Sequence, residues 1–220
     1  MASLTVENYV KAIYQIACQG EPGTAVATGE IAATLQVSPG TVTGMLKTLS
    51  EASLATYTPY EGARLTSAGD RLALAVLRRH RLVELFLSQT LEMAWDEVHE
   101  EAEHLEHAIS DRLAERIDAY LGHPDVDPHG DPIPRADGSI PEPGGVPLVR
   151  LDPGATFRLV RVVDQDSAFL RYLTESGLDL GTRGVVSVNR AEAGALVLQV
   201  DGRLIALGRD AAAKVLVRSD

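Results

Sequence analysis

The 220-residue sequence predicts a mainly α protein with β: a helix-turn-helix followed by a two-stranded wing, a helical middle, and a small all-β C-terminal part. Three observations carry this expectation. Apolar residues recur at helical spacing as far as Leu121, a Pro-, Gly- and Asp-rich stretch follows, and short β-branched runs fill the remainder.

Val6, Val10, Ile13, Tyr14 and Ala17 share one face of a first helix that ends near Gly20. A second helix is expected from Thr28 to Leu35. After the break "QVSP", Ser38 suits an N-cap and Pro39 the first helical position of a third helix through Val42, Met45, Leu46 and Leu49. "LATYTPYEGARLT" has β-rich ends around a Glu-Gly turn and reads as a hairpin. Long helical segments are expected over Ser67–Leu91 and over 96–121, the latter capped by Asp96. "GHPDVDPHGDPIPRADGSIPEPGGVP" cannot hold a regular element and reads as a linker or long loop, with His123 and His129 as ordinary loop residues. Beyond Leu148, "ATFRLVRVV", "GVVSVN", "ALVLQV", "RLIAL" and "KVLVR" are short strands, interrupted by one helical piece from Ser167 to Ser176; together they predict a small β-barrel or sandwich.

No run of about 18 uncharged apolar residues is present, so no membrane span or membrane partner is expected. The start "MASLTVENYVKAIY" lacks the basic head and apolar middle of a secretory signal, which predicts a cytoplasmic protein. The single Cys18 has no internal disulfide partner and, spaced helically from Tyr14, is expected as a small core residue. The formal net charge of −11 is very unevenly spread. Residues 1–79 carry six Lys/Arg and six Asp/Glu, residues 80–121 three and eleven, residues 122–149 one and five, and residues 150–220 ten and nine. The acidic 80–121 stretch also holds His80, His99, His104 and His107, so the acidity is concentrated where imidazoles could share a cation with it.

Two constellations follow. The third helix presents Ser38, Pro39, Gly40, Thr41, Thr43 and then Lys47, small and hydrogen-bonding groups able to enter a major groove, while Arg64 on the wing can neutralise a phosphate. Near-neutral charge over this part implies modest affinity per copy, for which a dimer reading two half-sites compensates. The second constellation is on the following helices. On one continuous helix, at about 100° per residue, His99, Glu103, Glu106 and His107 fall on a face bordering Val98, Ala102, Leu105 and Ile109. Glu97, Glu100, Glu101 and His104 fall on the solvent side, and His80 with Glu84 forms an i, i+4 pair on the preceding helix. Like-charged carboxylates about 4 Å apart repel by about 4 kcal/mol at an effective dielectric near 20, so such a set needs a divalent ion or protons to close up. Imidazole and carboxylate without thiolate favour Mn²⁺, alternatively Fe²⁺, on ligand softness. The competing readings are a solvated charged face, a metal-storage module without DNA, and a di-metal carboxylate enzyme. That last would start from Glu101-x-x-His104, but a second Glu-x-x-His is missing. With no Gly-rich phosphate loop and no nucleophile paired with a base, no enzyme is expected.

In combination these segments resemble the metal-dependent transcriptional regulators typified by the diphtheria toxin repressor, in particular their manganese-responsive branch. The resemblance spans nearly the whole chain, through "VENYVKAIYQI", "IAATLQVSPGTVTGMLKTL", "YEGARLTSAG", "RRHRLVELFL", "VHEEAEHLEHAISD", "HGDPIP" and a C-terminal segment similar to the family's SH3-like domain. It implies a winged helix-turn-helix domain over 1–73, a helical metal-binding and dimerisation domain over 74–146 with a Pro-rich linker from about 122, and an SH3-like (FeoA-like) domain over 147–220. It also implies a homodimer that binds Mn²⁺ or Fe²⁺ and then palindromic double-stranded operator DNA, usually repressing metal-uptake genes. By the same resemblance His80, Glu84 and His99 match one ion site, and Glu103, Glu106 and His107 the other. A glutamate at 103 matches the manganese branch, where iron-responsive members carry cysteine. Asn8 matches a ligand of the first helix, with neighbouring Glu7 able to substitute. A carboxylate of the manganese branch falls where this chain has Lys11, which cannot ligate. Asp164, Gln165 and Asp166 are weaker candidates for ligands lent by the SH3-like part.

Overall fold

Ser3 opens helix α1 (Leu4–Gln19) by accepting from the Val6 amide, and the buried face of that helix is Tyr9, Val10, Ala12 and Ile13. The computed structural model describes residues 3–21, 23–142, 144–190 and 194–219. α2 (Thr28–Thr34) and α3 (Pro39–Glu51) follow, the second begun as expected by Ser38, whose hydroxyl accepts from the Thr41 amide, and by Pro39 in its first turn. Ile31, Val42, Leu46 and Leu49, all fully buried, close against α1. Each such side chain contributes roughly 1.5–3 kcal/mol relative to exposure.

The wing is an antiparallel pair, β1 (Ala55–Thr58) and β2 (Gly62–Leu65), in register from Ala55↔Leu65 to Thr58↔Gly62. Its tip turns through Pro59, Tyr60 and Glu61, with Tyr60 at φ 69°. Gly62 has φ 110°, and a Cβ there would strike the Val26 carbonyl, so only glycine lets β2 pair with Val26 through Ala63. Helix α4 (Ser67–Leu91) then runs as expected.

The expected single helix over 96–121 is corrected: the chain forms α5 (Val98–Leu105), leaves helical geometry, and restarts as α6 (Asp111–Tyr120). Asp96 does not cap it; its carboxylate accepts from Arg171 at 3.0 Å. The common-face argument therefore fails for Glu106 and His107, which lie in the turn between the two helices. Among its described residues the Pro-rich stretch holds no helix, and no strand before the two-residue Val146–Pro147 that ends it, which corrects the expectation that it holds no regular element; nor is it simply an exposed loop, since Asp127, His129, Asp131 and Ile133 are buried. Cys18 is exposed, against expectation, because the core contacts of α1 end at Ile16.

The C-terminal part is a six-stranded sheet in the order β3-β8-β4-β5-β6-β7. It consists of β3 (Val146–Pro147), β4 (Thr156–Val162), β5 (Arg183–Arg190), β6 (Ala195–Val200), β7 (Arg203–Gly208) and β8 (Val215–Arg218). Helices α7 (Ser167–Glu175) and α8 (Arg209–Ala213) accompany it around a core centred on Phe157, Leu159, Leu170, Leu173 and Leu198. The five expected strands and the helical piece are present; β3 and α8 carried too short a pattern to be read. The chain falls into two units, Met1–His80 with Glu106–Asp111 and Pro134–Ser139, and Arg81–Leu105 with Arg112–Ile133 and Ile140–Asp220.

Candidate metal centres and DNA-reading surface

Within the first unit, a buried charge cluster gathers on Glu106, whose side chain is wholly removed from solvent. Lys11 Nζ, on α1, donates to Glu106 Oε1 at 2.6 Å, and His80 Nδ1, on α4, donates to Oε2 at 2.5 Å. His107 Nε2 lies 3.0 Å from Oε1. Burial alone would raise the Glu106 carboxyl, but the hydrogen bond and charge of His80, followed by those of Lys11, outweigh it and hold the group below the ordinary carboxylate range.

Glu7, the substitute ligand considered from the sequence, is already engaged: its Oε2 accepts from Arg79 NH2 at 3.0 Å and from His107 Nδ1 at 2.7 Å. A carboxylate only accepts, so the proton of a neutral His107 sits on Nδ1 and its Nε2 lone pair faces Glu106. Asn8 Oδ1 is buried without a hydrogen-bond partner among the described residues. His107 Nε2 and the Glu106 carboxylate are thus a hard N/O donor pair that suits a divalent ion, with Glu7 orienting the imidazole, and the buried Asn8 Oδ1 on α1 is a further hard oxygen donor.

The second unit contains a different centre. Glu84, Asp127 and His129, all fully or nearly buried, each place one ligand atom within 4.8 Å of the other two. His129 Nε2 donates to the Trp95 carbonyl at 2.7 Å, which leaves Nδ1 as the lone-pair nitrogen, 4.0 Å from both Glu84 Oε2 and Asp127 Oδ1. Neither His129 Nδ1 nor Asp127 Oδ2 has a hydrogen-bond partner among the described residues. Burial first, then the Glu84 and Asp131 charges, push the Asp127 carboxyl well above the ordinary carboxylate range. An octahedral ion with bonds of about 2.1 Å separates adjacent ligands by about 3 Å, so a small contraction would close this triad.

The turn that builds the triad is local chemistry. Asp127 Oδ1 accepts from the amides of His129 and Asp131 at 2.8 and 2.9 Å, folding "DPHGD" back on its first residue. Gly130, at φ 85°, lets the turn pass under the Val160 carbonyl, which a Cβ would strike. The Trp95 ring stacks on His129 with centroids 6.1 Å apart, and its Nε1 donates to Thr174 Oγ1. A cavity of about 480 Å³ lined by Trp95, Asp125, Asp127 and Leu180 opens beside it.

His129, expected as an ordinary loop residue, lies in a turn but is fully buried beside Glu84 and Asp127, and Asp127 was not among the expected ligands. The signal was there: Asp127 stands two residues before His129, just ahead of the "HGDPIP" segment already noted. Of the other expected ligands, His99 Nδ1 lies 3.1 Å from Glu84 Oε1, and His99 and Glu103 are both half-exposed. His80 and Glu106 belong to the first unit, Glu84, His99 and Glu103 to the second. Asp164 pairs with Lys214, Gln165 donates to Asp131, and Asp166 caps α7, so these three are engaged away from the triad. Glu97, Glu100, Glu101 and His104 are exposed as expected.

On α3 the Ser38 hydroxyl is occupied by the Thr41 amide and hydroxyl, and Thr43 Oγ1 donates to the Pro39 carbonyl at 2.9 Å. The first turn thus offers Gly40 and the Thr43 methyl for close approach instead of free hydroxyls. Thr43 and Lys47 line a groove of about 510 Å³ together with Tyr57, Pro59 and Tyr60 of the wing. Arg64 Nε donates to the Gly23 carbonyl at 2.9 Å and stays exposed. Fully exposed Tyr60 was not among the expected residues.

A winged helix-turn-helix joined to buried carboxylate-imidazole centres defines an ion-responsive DNA-binding regulator. Residues 1–63 match the iron dependent repressor N-terminal DNA binding domain, residues 66–135 the iron dependent repressor metal binding and dimerisation domain, and residues 146–219 the FeoA domain. The chain is 34% identical over 186 residues to the iron-dependent repressor IdeR of Mycobacterium tuberculosis, covering 81% of this chain and 77% of that protein. It is 30% identical over 223 residues to the diphtheria toxin repressor of Corynebacterium efficiens, covering 97% and 94%. It also superposes on a manganese-dependent transcriptional repressor in complex with manganese, with TM-score 0.86, 41% identity and coverage of 98% and 100%. For the manganese regulator SloR the TM-score is 0.76 at 31% identity, with 98% of each chain covered. The chain belongs to the diphtheria toxin repressor family of metal-dependent transcriptional repressors, and is a regulator instead of an enzyme. No described helix is long and apolar enough to cross a membrane.

Proposed function

We propose that this chain is a cytoplasmic, homodimeric repressor of metal-uptake genes that binds palindromic operators when loaded with Mn²⁺, or alternatively Fe²⁺. The domain division is 1–73, 74–146 and 147–220. The observation that carries the metal reading is the Glu84, Asp127 and His129 triad, three buried ligand groups whose ligand atoms lie within 4.8 Å of one another, with Asp127 Oδ2 and His129 Nδ1 lacking hydrogen-bond partners among the described residues. The second donor set is Asn8, Glu106 and His107. The sequence resemblance adds His80 and His99 to the ligands with Glu84, and Glu103 to those with Glu106.

Bound there, a divalent ion supplies two positive charges to carboxylates that otherwise repel or rely on protein cations. The chain does the rest. Asn8 on α1 and His107 after α5 are drawn to one point, which fixes α1 and with it the packing of α2 and α3. Since the ion acts by choosing one conformation, its effect on DNA affinity is bounded by its preference for that conformation, about 1–3 kcal/mol. Gly40, Thr41, Thr43 and Lys47 then face the groove, with Arg64 and Tyr60 of the wing against the backbone. Exposed Leu113 and Tyr120 on α6 support a dimer surface.

The test is a fluorescence-anisotropy titration against a duplex selected from a random pool by the Mn²⁺-loaded protein. Mn²⁺ should tighten binding by about 5- to 150-fold with a steep salt dependence. Glu103→Ala should abolish the stimulation while leaving the fold intact. Equal DNA affinity with and without either ion would refute the reading.

A further inference from the structure

The Glu106 cluster contains a group that the proposed function leaves unused. Lys11 is one of only three lysines in the chain, and it is 6% exposed. It stands three residues after Asn8 on α1, so the two side chains share a face of the helix. Its ammonium donates to Glu106 Oε1, the same oxygen that lies 3.0 Å from His107 Nε2. An ion held by His107 Nε2 and Glu106 Oε1 therefore competes with Lys11 for that oxygen.

We propose that Lys11 is the resident cation of this centre: it holds Glu106 while no ion is bound, must be displaced for a divalent ion to bind, and so sets the ion concentration at which the protein responds. The inference rests on the metal reading above and adds to it the residue that fixes the threshold. The chemistry suits lysine. A compact ammonium on a flexible four-carbon stem can leave its partner by rotation about its own bonds, whereas a guanidinium anchored as Arg79 is, by Glu7 and Asp111, is held by several contacts. Lys11 also joins α1 to the turn after α5, the two segments that Asn8 and His107 would join through an ion. Binding is then an exchange of one tether for a stronger one.

The experiment is calorimetric titration of the full-length, metal-stripped protein with Mn²⁺, for wild type, Lys11→Met, Lys11→Gln and Lys11→Arg, each checked by thermal melting. Lys11→Gln keeps a donor for Glu106 and serves if Lys11→Met does not fold. Removing the charge should tighten Mn²⁺ binding at the Glu106 centre about tenfold or more, while Lys11→Arg should bind no more tightly than wild type. Glu106→Gln in the Lys11→Gln background should erase the gain and locate it. If wild type binds Mn²⁺ but neither neutral variant binds more tightly, Lys11 is not a competitor and this proposal fails alone. Should no variant bind Mn²⁺ at all, the metal reading falls and this proposal with it.

Discussion

Two buried acidic centres in one chain solve the same electrostatic problem in opposite ways. Glu106 is wholly buried but carries its own counter-charges, Lys11 at 2.6 Å and His80 at 2.5 Å, and its carboxyl is held ionised. Asp127 is as deeply buried, yet beyond Arg81 Nε at 3.7 Å its immediate surroundings are the Glu84 and Asp131 carboxylates, and its carboxyl is driven toward the protonated form. Desolvation is common to both, so it does not decide the outcome. What decides it is whether a cation stands within hydrogen-bonding distance. The first centre is neutralised by cations of the chain itself; in the second, carboxylates face one another with a single guanidinium farther off.

The comparison breaks first at Glu106. Glu106→Ala should lose the Mn²⁺ response at that centre and lower the stability of the ion-free protein by about 3–5 kcal/mol, since it removes the buried carboxylate that Lys11 and His80 both bond. A denaturant melt within about 1 kcal/mol of wild type would show that Lys11 and Glu106 are not coupled. Next in size, His129→Ala should weaken Mn²⁺ binding at the triad by at least about tenfold in calorimetry while costing the ion-free fold far less. Unchanged affinity would remove the triad as a site. Asp127→Asn keeps an acceptor for the His129 and Asp131 amides but deletes a charge its neighbours oppose. Ion-free stability should hold or rise by up to about 1 kcal/mol, the reverse in sign of the Glu106 variant.

The smallest effect is in pH. Asp127 titrates higher folded than unfolded, so the folded chain binds the extra proton and ion-free stability falls as pH rises above about 4 toward the folded value. Glu106 titrates lower when folded, so its contribution is complete above about pH 4.3 and is lost as pH falls toward its depressed value. Thermal melts across pH 3–8 (a range of about five units) should lose the first slope in Asp127→Asn and the second in Glu106→Gln. Identical profiles for wild type and both variants would erase the distinction.

Most of the scaffold was legible because its signals are local. Ser38 and Pro39 opened α3 where their chemistry said they should, and the strand runs of the C-terminal part found partners in the expected places. The break after Leu105 was not legible. "LEHAISD" has no proline or glycine to stop a helix, and the interruption coincides with Glu106 pairing with Lys11, 95 residues away in sequence. Ser110, just ahead of α6, was the one local hint of a restart. Hard N and O donors were expected as ligands, but the common face assigned to four of them relied on a continuous helix that does not exist. His129 escaped because a Pro- and Gly-rich composition says that no regular element forms there, not that the segment stays in solvent.

Trp95 is the chain's single tryptophan, and it both stacks on His129 and accepts that residue's proton donor at its own carbonyl. Its indole emission is therefore a built-in optical gauge of the triad. Paramagnetic Mn²⁺ arriving at His129 should dim it, giving a label-free count of occupancy at one centre while the other stays dark.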